Sequence, residues 1–211
     1  EFYEAIQIQP NHAKAHIYLS NFQYILGNTS ESKFHSSKAL ELEPRDPLIT
    51  SLYSMNLIYE GKFSMAVQIL ETNLKSFPGD DQTITTLRTA YHLTEQYDSA
   101  FATWKKYFSI KGDKASDSVL TNGYREAGYH KALQRLAEFY ISQPKKRPWV
   151  IATLYTRAGM KEKAIEWLYK AYEEHDLNMP YLKVDPIFNF LKNDARYKDL
   201  LKKINLQPDD L

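Results

Sequence analysis

Apolar residues recur along this chain at i, i+3, i+4 and i+7, in short runs broken by Gly, Pro and Asp. That spacing puts the large side chains on one face of each run and predicts amphipathic helices from end to end. Pro10, Pro44 and Pro78 stand 34 residues apart, and Gly27 and Gly61 keep the same interval. A period of this length predicts a chain built by stacking one two-helix unit. Each punctuating residue has a mechanical role. Gly lets the backbone reverse between antiparallel helices, Ala lets the two helices approach, and Pro, which cannot continue a helix, ends the unit.

The first complete unit is read as residues 13–46, with Leu19, Ser20 and Gln23 on its first helix and Ser32, Ala39 and Leu40 on its second. Residues 47–80 repeat the plan with Tyr53, Ser54, Leu57, Ala66, Leu70 and Leu74, and residues 81–113 with Leu87, Tyr91, Ala100 and Trp104. The stretch 114–144 is degenerate and about three residues short of the period, although it keeps Gly128, Ala132 and Leu133. Residues 145–175 form the last unit. Residues 1–12 have the character of a unit's second helix, so a longer parent polypeptide is expected. Four positions depart from the plan. Gln23 stands where an aromatic is usual, Glu95 replaces the turn Gly, and Ser36 and Asn73 are polar at packed positions. Beyond His175 the pattern changes. Asp176 to Lys183 reads as a loop containing Pro180. Asp185-Pro186 opens a short helix, and Asn193-Asp194 caps another that bears Tyr197, Leu200, Leu201 and Ile204. The segment 176–211 is thus expected to close the open apolar face of the array.

This arrangement resembles the tetratricopeptide repeat family, with small residues near positions eight and twenty, aromatics at eleven and twenty-four, and Pro at thirty-two. Ile151-Ala152, Tyr155, Gly159, Ala164, Leu168 and Ala171 carry the resemblance best, and it covers about residues 1–175. It implies an all-α, right-handed superhelical solenoid with a C-terminal capping segment. A narrower resemblance lies in Ala164-Ile165-Glu166-Trp167-Leu168, Leu182-Lys183-Val184-Asp185-Pro186-Ile187-Phe188, Asp194-Ala195-Arg196-Tyr197 and Leu200-Leu201. These runs look like the C-terminal end of bacterial multidomain regulators, where such arrays follow a winged-helix DNA-binding, class III adenylate cyclase or serine/threonine kinase domain. That likeness implies a parent protein in signalling or transcription regulation.

Composition narrows the partner. With 27 basic and 26 acidic residues the net charge is +1, so the chain lacks the basic stripe that phosphate binding needs, and nucleic acid is not expected as a partner. No apolar run reaches the ~20 residues of a membrane span. The chain has no Cys, so disulfides and thiolate metal sites are absent. That absence leaves the compartment open, with a cytoplasmic setting favoured.

Candidate chemistry is sparse. His12 and His16 have i, i+4 spacing but no third ligand in a forced position, so no metal is assigned. Glu173-Glu174-His175-Asp176 reads as a solvated helix end rather than a catalytic cluster. Gly79-Asp80-Asp81 and Gly112-Asp113 read as helix-capping turns, because a phosphate cradle needs more Gly and a following Lys. Lys145-Lys146-Arg147 is a solvated basic loop that could contact an acidic partner. No catalytic residue and no cofactor are assigned.

The functional expectation is therefore a non-catalytic protein-interaction module. Its first helices line a concave groove that holds a protein or peptide. The expected lining is Ile17, Asn21, Tyr24, Ser51, Met55, Ile58, Thr85, Thr89, His92, Asn122, Arg125, Trp149, Thr153 and Thr156. A clamp for a peptide carboxylate is not expected, since Ile17 and Thr86 stand where cations would be needed. Two other readings are a homo-oligomerisation scaffold, giving a homodimer, and a small-ligand sensor with a pocket near Tyr124, Arg125 and Trp149.

Overall fold

The computed structural model describes residues 1–206; residues 207–211, the end of the expected capping segment, lie outside the described part. The described residues are helical with no strand. In chain order the helices are α1 (Phe2–Ile8), α2 (Ala13–Ile25), α3 (Thr29–Leu42), α4 (Pro47–Tyr59), α5 (Phe63–Ser76) and α6 (Asp81–Leu93). They continue as α7 (Tyr97–Lys111), α8 (Lys114–Ser142), α9 (Pro148–Arg157) and α10 (Lys161–Glu173). Two 3-10 turns, Met179–Leu182 and Pro186–Leu191, precede α11 (Ala195–Lys203). The segment 176–183 is therefore not wholly a loop, because Pro180 sits in the first turn of a 3-10 helix. The chain divides into two compact units, Glu1–Glu95 and Gln96–Leu211.

In the first unit the period is visible in the helix starts. Ala13, Pro47 and Asp81 each open a 13-residue helix, while Thr29 and Phe63 each open a 14-residue partner. Sequence-adjacent helices pack in pairs, α2 on α3 and α4 on α5, and α4 also packs between α2 and α6. The N-caps follow the same rhythm. The side chains of His12, Asp46 and Asp80 accept from backbone N–H groups of the first turns of α2, α4 and α6, satisfying donors that a helix start leaves unpaired.

The four departures from the plan have local explanations. Gln23 is buried and donates to the Tyr3 hydroxyl at 2.5 Å while accepting from Asn28 at 2.7 Å, so a polar link does the work of an aromatic. Asn73 ties α5 to both neighbours, donating to the Pro47 carbonyl at 3.2 Å and to Thr83 Oγ1 at 2.7 Å. Ser36 donates to the Lys33 carbonyl of its own helix at 3.1 Å. Glu95 occupies the left-handed turn position with φ 57°, where Gly27 has 88° and Gly61 has 76°. A side chain in this region crowds the following carbonyl, which costs about 1–2 kcal/mol relative to ordinary backbone.

In the second unit, the short stretch 114–144 is a complete hairpin with a compressed turn. Non-helical backbone at Ala127 and Gly128 breaks α8 into arms 114–126 and 129–142. The arms fold back on each other. Ser116 Oγ reaches the Tyr140 hydroxyl at 3.3 Å, and the Arg135 guanidinium chelates Glu126 at 2.9 and 3.0 Å. At their closest approach, a Cβ on Gly123 would lie 2.8 Å from the Ala132 Cα, so only Gly fits. α9 packs against α8 and α10, and the tail closes on them. Phe188 stands 5.4 Å from the Trp149 ring, and the fully buried Tyr197 donates to the Leu182 carbonyl at 2.5 Å. Arg196 bridges Glu162 at 2.7 Å and Asp194 at 2.8 Å, with Lys161 3.0 Å from Asp194. These cations hold the Asp194 carboxyl well below the usual carboxylate range.

Replacing Glu95 by Gly should raise the unfolding free energy by about 0.5–1 kcal/mol, and Gly123→Ala should lower it by about 1–3 kcal/mol through backbone displacement. Urea midpoints measure both. A lowered midpoint for the first, or an unchanged one for the second, contradicts the respective assignment.

Candidate functional site

The 34-residue equivalence sorts the expected groove residues into rows: Ile17, Ser51 and Thr85; Asn21, Met55 and Thr89; Tyr24, Ile58 and His92. These rows share one side of α2, α4 and α6, but several members do not reach the surface. Ile17 is fully buried with Ala13, Ala39, Ile49 and Leu52. Ser51 is buried and hydrogen-bonded to Thr83 at 2.8 Å, and Ile58 is buried. In the second unit Thr156 is buried and donates to the Ala152 carbonyl of its own helix at 2.8 Å. These four belong to the core and are withdrawn from the groove, because helix packing covers the side of the helix that a simple register leaves open.

Asn21 is buried as well, and the other positions keep some exposure. Tyr24, Met55, Thr85, Thr89 and His92 are half-buried, and Tyr24 lies 5.1 Å from the Tyr59 ring. Burial, with Glu60 nearby, pushes the Tyr24 hydroxyl pKa up. Asn21 is 7% exposed, and its side-chain oxygen has no hydrogen-bond partner among the described residues. In the second unit Asn122 and Arg125 are exposed, Thr153 donates to the Val150 carbonyl at 2.9 Å, and Trp149 is half covered by the tail. Tyr124 stacks on Phe101 at 3.8 Å and donates to Asp98, so its ring is committed to packing.

A concavity lies elsewhere in the first unit, on the side of the second helices. A cavity of 720 Å3 opens where α3 ends and α5 passes. α5 lines it with two adjacent stripes at helical spacing, Gln68, Thr72 and Ser76 beside Ile69 and Asn73, and Phe77 follows. Leu40, Pro44, Arg45 and Thr50 complete the walls. Much of the polar lining is already engaged. Asn73 is bonded as above, Thr50 donates to the Asp46 carbonyl at 2.8 Å, and Thr72 to the Gln68 carbonyl at 2.9 Å. What faces an incoming group is Leu40, Ile69 and Phe77, with the exposed Arg45 guanidinium at the rim. Among the described residues Arg45 has no ion-pair partner.

The preceding junction explains why this space is open. One period earlier, the counterparts of Thr50 and Ile69 are His16 and His35. Those two imidazoles fill the equivalent position, their Nδ1 atoms 2.7 Å apart and both rings buried. His16 Nε2 lies 3.0 Å from the Pro10 carbonyl, which can only accept. His16 therefore carries its proton on Nε2, and His35 donates through Nδ1 to the bare Nδ1 of His16. The other nitrogen of His35 faces Glu31 at 3.8 Å, and Glu31 in turn accepts from Tyr3. Replacing two interlocked rings by a hydroxyl and an aliphatic branch empties the space. Position-by-position comparison of the two repeats was the available signal. Leu40, Pro44 and Phe77 instead read as repeat packing and punctuation.

The other candidate clusters have structural roles. His12 Nδ1 accepts from the Ala15 N–H at 3.3 Å as an N-cap, which separates it in function from His16. Asp80 accepts from the Thr83 N–H at 2.7 Å and Asp113 from the Ser116 N–H at 3.0 Å, both capping helices. Asp176 accepts from Asn178 in the turn after α10, at 2.9 and 2.8 Å. Lys145, Lys146 and Arg147 are exposed ahead of α9. Among the described residues no helix is long and apolar enough to cross a membrane. Compared with protein-family models and with curated proteins, the chain matches none.

Burial is the main influence on His35 and lowers its pKa, the neighbouring His16 adds to this, and Glu31 opposes it. The unfolded chain thus takes up this proton first, near the ordinary pKa of about 6.5, and the folded chain only at lower pH. Stability associated with the pair is present above that value and is lost as pH falls below it. His35→Gln should flatten the decline in unfolding free energy between about pH 7 and 5. Denaturant melts across that window measure the slope; an unchanged slope contradicts the assignment.

Proposed function

We propose that the chain is a non-catalytic protein–protein interaction module. It captures an apolar side chain of a partner in the cavity between α3 and α5, with an acidic group of that partner on Arg45. The observation that carries this reading is the cavity itself. Its volume lies in the range of ligand-sized sites, its free walls are aliphatic and aromatic, and its one ionisable lining residue, Arg45 at the rim, has no ion-pair partner among the described residues. Apolar anchoring would supply affinity and the guanidinium would set register, as in other groove recognition of peptides. The half-buried row Tyr24, Met55, Thr89 and His92 on the other side of the first unit offers a second contact surface for the same partner.

The likeness to tetratricopeptide arrays supports this reading, since stacked helix pairs present extended binding surfaces. The likeness of the 164–201 runs to the ends of bacterial regulators supports a parent protein in signalling or transcription regulation, where partner capture would act on an effector domain.

A displayed library of short peptides tests the proposal. Selected sequences should pair a large apolar residue with a nearby Asp or Glu. Thr50→His combined with Ile69→His rebuilds the filled junction and should abolish selection, while Arg45→Glu should remove the acidic preference. Selection that survives the filling variant but is lost in Tyr24→Ala with Met55→Ala would move the site to the α2–α4–α6 side. Failure to enrich any peptide would overturn the function.

A further inference from the structure

Asn122 is the one Asn of the chain that is followed by Gly. An Asn-Gly pair is chemically labile, because Gly has no side chain to obstruct its backbone nitrogen as it turns onto the Asn side-chain carbonyl. Asn122 is exposed, and its side chain makes no hydrogen bond among the described residues. Packing demands Gly at the next position. A Cβ on Gly123 would lie 2.8 Å from the Ala132 Cα and 3.0 Å from the Lys131 carbonyl oxygen. The fold thus requires the very residue that makes its neighbour reactive.

While the α8 hairpin is closed, the reaction is blocked. Both residues lie in the arm 114–126 with helical backbone, since α8 breaks only at Ala127 and Gly128. A helix ties each interior N–H to the carbonyl four residues back. Cyclisation needs that N–H free and a ψ at Asn far from the helical value of about −42°. Gly123 is also buried against the second arm. Access therefore comes with parting of the arms, which Ser116 on Tyr140 at 3.3 Å and Arg135 on Glu126 at 2.9 Å hold together. The turn controls this step: Gly128 has φ 76° and ψ −163°, a region open essentially to Gly alone.

We propose that Asn122 is a modification site gated by this hairpin, converting to isoaspartate, with water as co-reactant, when the arms part. The Gly123 nitrogen bonds to Asn122 Cγ and the Cγ–Nδ2 bond breaks. The side-chain amide leaves as ammonia, carrying the proton from the Gly123 N–H. Water then opens the succinimide ring. Cleavage between the Gly123 nitrogen and Cγ gives Asp; cleavage at the main-chain carbonyl carbon gives isoaspartate, whose backbone runs through Cβ and Cγ. Nothing is oxidised or reduced. The extra methylene lengthens the arm, breaks the helical ladder and moves Gly123 off its contact with Ala132. The isoaspartate form cannot close the hairpin again, so a reversible opening becomes permanent. The site belongs to the second unit and does not depend on peptide capture by the first.

Ageing the full chain at mildly alkaline pH, followed by peptide mapping with mass spectrometry, tests this. In the urea-unfolded chain Asn122 should convert faster than Asn189, an exposed Asn followed by Phe190. In the folded chain its rate should fall at least about tenfold, because only the open fraction reacts. Gly128→Ala disfavours the closed turn. It should raise the folded-state rate at least about fivefold and leave the unfolded-state rate unchanged. If that variant does not fold, a urea series below the midpoint of the unsubstituted chain replaces it, and the rate should climb with urea. The purified isoaspartate form should unfold at lower urea than the parent, while Asn122→Gln should age without either change. Equal rates in folded and unfolded chains, a folded-state rate indifferent to Gly128→Ala or to urea, or an isoaspartate form as stable as the parent would overturn the proposal.

Discussion

Close approach of paired helices at small residues is the constraint on which the rest of the structure depends. Ser20 donates to the Ser32 carbonyl at 2.7 Å, which brings α2 against α3 without an intervening side chain. Gly123 meets the Ala132 backbone in the second unit at a distance no Cβ tolerates. Fully buried Ala66, Ala100, Ala132 and Ala164 recur at related positions for the same reason. Once a hairpin closes at such a contact, the large side chains flanking it are forced outward, toward the next hairpin. The stacking surface is therefore a consequence of the pairing contact.

How two hairpins of the first unit meet depends on what those displaced side chains are. At one junction, His16 and His35 interlock through one Nδ1–Nδ1 hydrogen bond with both rings buried. At the next, Thr50 and Ile69 occupy the same positions and leave a cavity with Arg45 at its rim. The backbone plan is the same at both places. The cavity thus coincides with a local loss of side-chain volume within a repeated backbone plan, without a special loop or distortion of the helices.

Polar residues in the core illustrate the same economy of form. Gln23 and Asn73 look like defects when compared with an idealised repeat, yet each makes hydrogen bonds that join elements distant in sequence. Asn73 connects α4, α5 and α6 through one amide. Burying an amide is tolerable only with such partners, and the period places those partners within reach. The tail of the second unit relies on charge as well as packing, with Arg196 and Lys161 converging on Asp194 while Phe188 and Tyr197 fill the space beneath.

Much of the architecture was legible from residues alone. The Pro and Gly interval placed the helix starts at Ala13, Pro47 and Asp81, because turn and helix-ending chemistry is local and each residue carries its own backbone preference. Asp185 and Asp194 announced their capping roles for the same reason. The exposure of the expected groove residues was less legible. Ile17, Ser51, Ile58 and Thr156 sit where a simple register faces a groove, but whether a helix face is open depends on how far neighbouring helices roll over it. The 720 Å3 cavity was hidden because it belongs to no single residue. It exists only as a difference in volume between side chains some twenty residues apart, brought together by packing. Local preference, written residue by residue, determined where the helices begin and end; the space between helices was decided by the tertiary structure, since it depends on the shapes of side chains that meet only after folding.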